Sequence, residues 1–271
     1  MEWSHLVIVK PGALGDTLLL APVLRSVRIC RPGLPVTVVG NRPAVDLLMD
    51  FGVADTVFPF EQLRLFMPPR PGEPNFENAA VMAFIRGDVD GVDPFASRGA
   101  LTVVRRPSRP GDEGPHVVPY LHECLKSLFP DLPSPTREPF SVTPLSSPPV
   151  EPPYLVLAPG AGGVAKQLPL ERFVAMGEEA LRRGLSPMLI VGDAEVERGL
   201  AARLPKDYPC WISAPLPKLA ALLAGCRRYV GNDSGPGHLA GLVGAETTIF
   251  FGPTRPEVWV PWGPNVTIER F

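Results

Sequence analysis

"LVIVKPGALGDTLLLAPVLRSVRICRPGLPVTVVG", Leu6 to Gly40, decides the fold class. It opens on a β-branched apolar run and turns through glycine. Apolar residues then recur at helical spacing, and the stretch closes on a second β-branched run. Short apolar runs bounded by turn residues read as buried strands, and strand–helix–strand in this order is a parallel unit. "RPAVDLLMDFG" (42–52) continues as a helix ending in glycine, and "DTVFPF" (55–60) as a third strand. This β-α-β-α-β order marks a parallel sheet covered by helices. Pro22 lies inside the first helical pattern and predicts a kink or short break, because proline lacks the amide donor and crowds the preceding turn.

Outward from this stretch, "NFENAAVMAFIRG" (75–87) reads as a helix, "ALTVVRR" (100–106) as a strand and "GPHVVPYLHECLKSLF" (114–129) as a helix. "SVTPLSSPPVEPPY" (141–154) reads as a linker, since serines and prolines build no core. After it the rhythm restarts. "YLVLAPG", "SPMLIVGD", "CWIS", "RYVGND" and "ETTIFFG" read as strands, and "PLERFVAMGEEALRRG", "AEVERGLAARL", "LPKLAALLAGC" and "GHLAGLVG" as the helices between them. The expected architecture is α/β, two doubly wound Rossmann-like domains spanning 1–145 and 146–271.

Composition narrows the function. The 271 residues carry 26 Lys+Arg against 28 Asp+Glu, a net charge of −2, and neither half is basic. A nucleic-acid partner is therefore not expected. Cys30, Cys124, Cys210 and Cys226 are scattered, which suggests reduced buried thiols, with neither a metal site nor a disulfide framework. Lys10, Pro11 and Asp16 interrupt the apolar N-terminus before it could serve as a leader or a span, so a cytoplasmic protein is expected. Arg98, Arg105, Arg106 and Arg109 with His116 read as one basic patch: a solvated face, or a surface for an anionic acceptor or membrane headgroup.

The chemistry gathers where strands run into glycine turns. In "RYVGNDSGPGHLAGLVG" (228–244), Asp233, Ser234, Gly235, Gly237 and His238 coincide between a strand and a helix. A plain cap needs one polar residue. Free amides at a helix start, with glycines that let a ligand approach, instead suit an anion. A nucleophile elbow is disfavoured, since Asn232 stands where that motif needs glycine. "LAPGAGGVAKQLPLERF" (157–173) is a second such loop, and its Lys166 can meet a phosphate as a point charge. "KPGALGD" (10–16) matches neither a dinucleotide fingerprint nor a P-loop. It leaves Asp16 at a helix start, either as a cap or as a carboxylate aimed at a ligand. After the strand "SPMLIVG", Glu195 or Glu197 can bind ribose hydroxyls or merely face solvent. In "FFGPTRPEVWVPWGP" (250–264), Thr254 and Arg255 line the same end of the sheet or belong to a rigid loop with packed tryptophans.

Together "GALGDTLLLAPVLRSVR", "APGAGGVAKQLPLERF" and "GNDSGPGHLAGLVGAETTIFFGPTRPEVWVP" resemble the heptosyltransferase family of bacterial glycosyltransferases, which build lipopolysaccharide core. The resemblance covers both ends of the chain and thins from about residue 61 to 140. It implies the GT-B arrangement, two Rossmann-like domains facing across a cleft. It also implies inverting, metal-independent transfer of a sugar, heptose, from a nucleotide-sugar such as ADP-heptose to a lipopolysaccharide-core-like or other glycan acceptor. No cofactor is implied, because the nucleotide-sugar is a substrate. Asp16 matches the family's general base and Lys166 the lysine beside the donor phosphates. Asp233, Ser234, Gly235 and His238 match the donor loop. Gly237, Thr254 and Glu197 are added as donor-side candidates from the reading of the residues above. The family often has an aromatic residue shortly after the lysine, where Gln167 and Leu168 stand here. A glycolipid acceptor implies peripheral contact with the cytoplasmic face of the inner membrane. Two competing readings of the same fold are a nucleotide-sugar epimerase and a non-catalytic nucleotide-binding module.

Overall fold

The computed structural model describes residues 3–85, 93–111, 113–205 and 208–271. The chain divides into two compact units, Met1–Thr136 and Arg137–Phe271. The observed division falls earlier than the expected one at residue 145. The reason is that the Ser/Pro-rich stretch lies along the second unit: Phe140 N donates to Leu242 O at 2.8 Å and Leu145 N to Ala221 O at 3.4 Å.

The first unit runs β1 (His5–Val9), α1 (Leu14–Leu18), α2 (Ala21–Cys30), β2 (Val36–Gly40), α3 (Ala44–Asp50), β3 (Thr56–Pro59), β4 (Ala79–Ala83), β5 (Thr102–Arg105) and α4 (Val117–Lys126). Its strands are parallel in the order β3-β2-β1-β4-β5. The order reverses between β1 and β4, the switch point beyond which ligands of such sheets bind. The break expected at Pro22 is present. The chain leaves the helix after Leu18 and re-enters at Ala21, with Pro22 in the first turn of α2, where a missing amide costs nothing.

One expectation fails outright. "NFENAAVMAFIRG", read as a helix, contains strand β4, and its last two residues lie outside the described ones. Alanine and methionine favour helix locally. Here β1 and β5 flank the segment, pairing for example Leu6 with Ala80 and Val81 with Val103, and every residue of β4 is buried. Burial between two strands outweighs a propensity of tenths of a kcal/mol per residue. Small side chains also suit its packing against Phe76 and Phe95.

The second unit runs β6 (Tyr154–Ala158), α5 (Leu170–Arg182), β7 (Ser186–Val191), α6 (Asp193–Glu197), β8 (Cys210–Ile212), α7 (Leu216–Gly225), β9 (Arg228–Asn232), α8 (Gly235–Leu242), β10 (Thr247–Phe251), α9 (Pro256–Trp259) and β11 (Val266–Arg270). All pairings are parallel, in the order β8-β7-β6-β9-β10-β11. That is the doubly wound Rossmann order, with its switch point between β6 and β9. Two details differ from expectation. "AEVERGLAARL" is not one helix: α6 ends at Glu197, and Gly199 takes a left-handed φ of 75° before a short 3-10 turn at Ala201–Arg203. The edge strand β11 was not foreseen. Its residues are mostly exposed, so no apolar run announces it.

Two arginines of the expected basic patch, Arg98 and Arg105, turn inward. The Arg98 side chain is 9% exposed and pairs at 3.1 Å with Glu73, itself 4% exposed. It also donates to the carbonyls of Arg64 (2.7 Å) and Met67 (2.8 Å) and lies over the Phe76 ring. Arg105 pairs with Asp93 at 2.7 Å over Phe95. Hydrogen bonds from Arg105 and the Phe95 amide hold that carboxyl below its usual range, against the opposing push of burial. Arg98 and Arg105 are thus structural charges, while Arg106 and Arg109 are exposed. Removing one partner of a buried pair leaves the other uncompensated, which costs about 3–5 kcal/mol. Arg98→Met should therefore lower unfolding free energy by about that much in urea titration, and the double change Arg98→Met/Glu73→Leu should recover most of the loss.

Candidate functional site

In the second unit, the loops after β6, β9 and β10 meet on one side chain. Asp233 follows β9 directly, its backbone amide donating to Phe250 O at 3.1 Å, and its side chain is 7% exposed. Its Oδ2 accepts from Lys166 Nζ at 3.0 Å and from Thr254 Oγ1 at 2.7 Å. Its Oδ1 stands 4.0 Å from His238 Nε2. Parallel strands whose order reverses between β6 and β9 deliver the ends of both strands to the same place, and this junction is the result. Thr254 was read from sequence with two alternatives open. The structure puts its hydroxyl on Asp233.

Around this carboxylate the sheet presents the start of α8. Ser234 is the N-cap residue, yet its hydroxyl donates to Asn232 O at 3.1 Å, with no side-chain cap bond to the helix. Pro236 has no amide, and Gly237 N turns back to Ser234 O at 3.1 Å. Ser234, Gly235 and Pro236 are half-buried. Gly237 is buried and serves packing: a Cβ there would lie 2.6 Å from Ile249 Cδ1. His238 is 5% exposed beneath the turn. Burial of Tyr229 under the same turn pushes its phenol far above the usual range, so it stays protonated.

Lys166 closes a short 3-10 turn, Val164–Lys166, on the loop after β6. Its side chain is 34% exposed, so part of the ammonium faces solvent. The loop is bound on both flanks. Arg198 donates to the carbonyls of Ala161 (2.9 Å) and Gly162 (3.3 Å). Gly252 approaches so closely that a Cβ would sit 2.9 Å from Ala165 O. Of the two α6 carboxylates, Glu195 packs against Gly160, where a Cβ would fall 2.5 Å from its Cγ, and it accepts from Gly192 N at 3.1 Å. Glu197 is exposed on the same helix. Two residues that the sequence did not single out emerge. Asn232 is fully buried with both side-chain polar atoms bonded, and Arg198 staples the glycine loop. Asn232 carried a faint signal, a buried amide before an acid at a strand end.

In the first unit, Asp16 lies at the third position of α1 rather than at its cap, and its Oδ2 accepts from Ala13 N at 3.4 Å. Gly12 permits the tight turn, since a Cβ would meet Asp16 Cβ at 2.9 Å, and Asn41 Nδ2 ties Gly12 O to the end of β2 at 2.7 Å. Beneath it Lys10 is fully buried, donating to Ser108 O at 2.8 Å and lying 5.5 Å from the Phe84 ring centroid. Burial pushes its ammonium below the usual range, and the Asp16 charge pulls the other way. Among the described residues, no three His, Cys, Asp or Glu side chains are grouped to hold a metal ion, and no helix is long and apolar enough to cross a membrane.

Residues 112–270 match the model of glycosyltransferase family 9 (heptosyltransferase). Lipopolysaccharide heptosyltransferase 1 of Pseudomonas aeruginosa is 38% identical over 109 residues, which are 38% of this chain and 30% of that protein. Lipopolysaccharide heptosyltransferase 3 of Escherichia coli is 26% identical over 121 residues, 42% of this chain and 35% of that protein. The matched stretches thus span about a third of the curated relatives. Among solved structures, a family 9 glycosyltransferase from Veillonella parvula superposes with a TM-score of 0.78 at 16% identity, covering 100% of this chain and 88% of that one. ADP-heptose lipopolysaccharide heptosyltransferase II of E. coli gives 0.72 at 18% identity, covering 98% and 90%. These likenesses establish the α/β fold of both units as that of GT-B heptosyltransferases, and with the family model matching more than half of its length, the chain belongs to glycosyltransferase family 9.

Proposed function

We propose that this chain transfers heptose from ADP-heptose to a hydroxyl of a lipopolysaccharide-core-like glycan, inverting the anomeric carbon without a metal ion. The observation that carries the reading is the junction of Lys166, Thr254 and Asp233 at the switch point of the second unit. Bond breaking moves negative charge onto the departing diphosphate. Lys166, the amides of Ser234 and Gly235, and the positive end of α8 are the groups that would oppose it. An Asp233 carboxylate cannot itself favour an anion. Its part is to orient Lys166, with Thr254 holding the same oxygen. His238 and Gly237 shape the turn from below. The carboxylate for ribose hydroxyls comes from α6, which carries Glu197 and the loop-packed Glu195.

Asp16 is the proposed base. A carboxylate is a weak base toward an alcohol, so it takes the proton late, as the attacking hydroxyl acidifies. A glycolipid acceptor would bring the protein to the cytoplasmic face of the inner membrane as a peripheral visitor. The relatives named above carry lipopolysaccharide heptosyl transfer in their names, which is the support for that acceptor class.

The test is product analysis with ADP-heptose, with and without a truncated core acceptor. Transfer only in the presence of acceptor supports the reading. A rearranged nucleotide-sugar formed without acceptor would mean an epimerase, and ADP binding with no turnover a binding module. Asp16→Ala should lower turnover by about 10²–10⁴-fold while ADP affinity stays within about twofold; unchanged turnover removes the base assignment. Lys166→Ala should weaken ADP by about tenfold or more in calorimetry, since a charge-assisted contact is worth about 1.5–3 kcal/mol. Thr254→Val keeps the shape and loses the hydroxyl. It should cost about 1 kcal/mol of stability and weaken ADP less than Lys166→Ala does.

A further inference from the structure

We propose that Asn232 is a positioning residue, holding both ends of the loop that carries Lys166 and thereby setting where that ammonium stands. This rests on the reading of Lys166 as a diphosphate ligand. Asn232 is the last residue of β9 and is fully buried. Its Nδ2 donates to Pro159 O at 2.8 Å, where the loop leaves β6. Its Oδ1 accepts from Leu168 N at 3.0 Å, two residues after the lysine. Its own carbonyl accepts the Ser234 hydroxyl at 3.1 Å. Only an amide side chain serves here. One end must donate to a carbonyl and the other must accept from an amide, so aspartate would face Pro159 O with a repelling oxygen and leucine would leave both groups unpaired.

The loop needs such a tether. Between Pro159 and Leu168 it contains Gly160, Gly162 and Gly163, which confine the backbone little, and Val164 is 75% exposed and contributes little packing. Lys166 reaches Asp233 from this glycine-rich segment. Pro159, which follows β6, and Leu168, two residues after the lysine, are both fixed to β9, the strand that also delivers Asp233. Lysine and carboxylate therefore share one frame, and the entropy of ordering the loop is met during folding rather than at ligand binding.

A double-mutant cycle tests this. Calorimetry with ADP compares wild type, Asn232→Ala, Lys166→Met and the double variant, each checked for a cooperative thermal transition. Asn232→Ala should weaken ADP by about tenfold in the wild-type background and by less than twofold once Lys166 is methionine. Equal loss in both backgrounds, or no loss, overturns the inference, because a general packing defect does not depend on Lys166. Should Asn232→Ala not fold, Asn232→Ser, whose short hydroxyl cannot bridge Pro159 O and Leu168 N together, replaces it in the same cycle. Hydrogen exchange supplies the second readout. The Leu168 amide should be protected in wild type and exchange at least about tenfold faster in the variant, with amides of the first unit unchanged. Equal exchange removes the tether. Wild-type protein that does not bind ADP would sink the functional reading instead, and Leu168 exchange would then still decide whether Asn232 holds the loop.

Discussion

Asp233 places a buried carboxylate at the spot where the fold otherwise invites an anion. Taking a carboxylate that is 7% exposed out of water carries a cost that its partners must offset. The carboxylate stays because Lys166 and Thr254 both donate to one of its oxygens, from loops that follow different strands. The arrangement makes the three loops depend on each other, since the carboxylate is satisfied only when all are in register. It also means the lysine is not a free charge awaiting phosphate. It is already paired with a carboxylate, so ligand recognition would draw on its remaining donors and on the amides at the start of α8.

Close packing does the rest. The glycines of this end of the sheet are largely explained by neighbours rather than by ligand approach. Gly160 makes room for Glu195, Gly237 for Ile249 and Gly252 for Ala165 O. These contacts draw loops onto one another tightly enough for Arg198 and Asn232 to reach backbone carbonyls from outside the loop they hold. A glycine-rich loop looks permissive in sequence. Here it is confined by the side chains of other segments.

The first unit hides its charges too. Arg98 and Glu73 close under the loop that follows β3, and Lys10 runs beneath α1 to Ser108 O. Four arginines near each other in the chain suggested a basic face, and two of them are spent on internal carboxylates. Proximity in sequence says nothing about which way a side chain points once strands β4 and β5 and their flanking turns are assembled.

Periodicity in the chain was enough to announce most of the strands and helices, the break at Pro22, the Rossmann character of each half and the residue types at the strand ends. These are local or short-range properties: β-branched runs, helical spacing, and turn residues between them. The alanine-rich β4 and the exposed β11 escaped because their state is set by neighbours, one by strands on both sides and the other by pairing with β10 alone. The motif "GNDSG" and the lone Lys166 were visible as candidates, but not the fact that Lys166 and Thr254 share one oxygen of Asp233, nor that Asn232 ties the loop between. Sixty-seven residues separate Lys166 from Asp233. Only the reversal of strand order between β6 and β9 brings their loops to one point, and that order is a property of the assembled sheet.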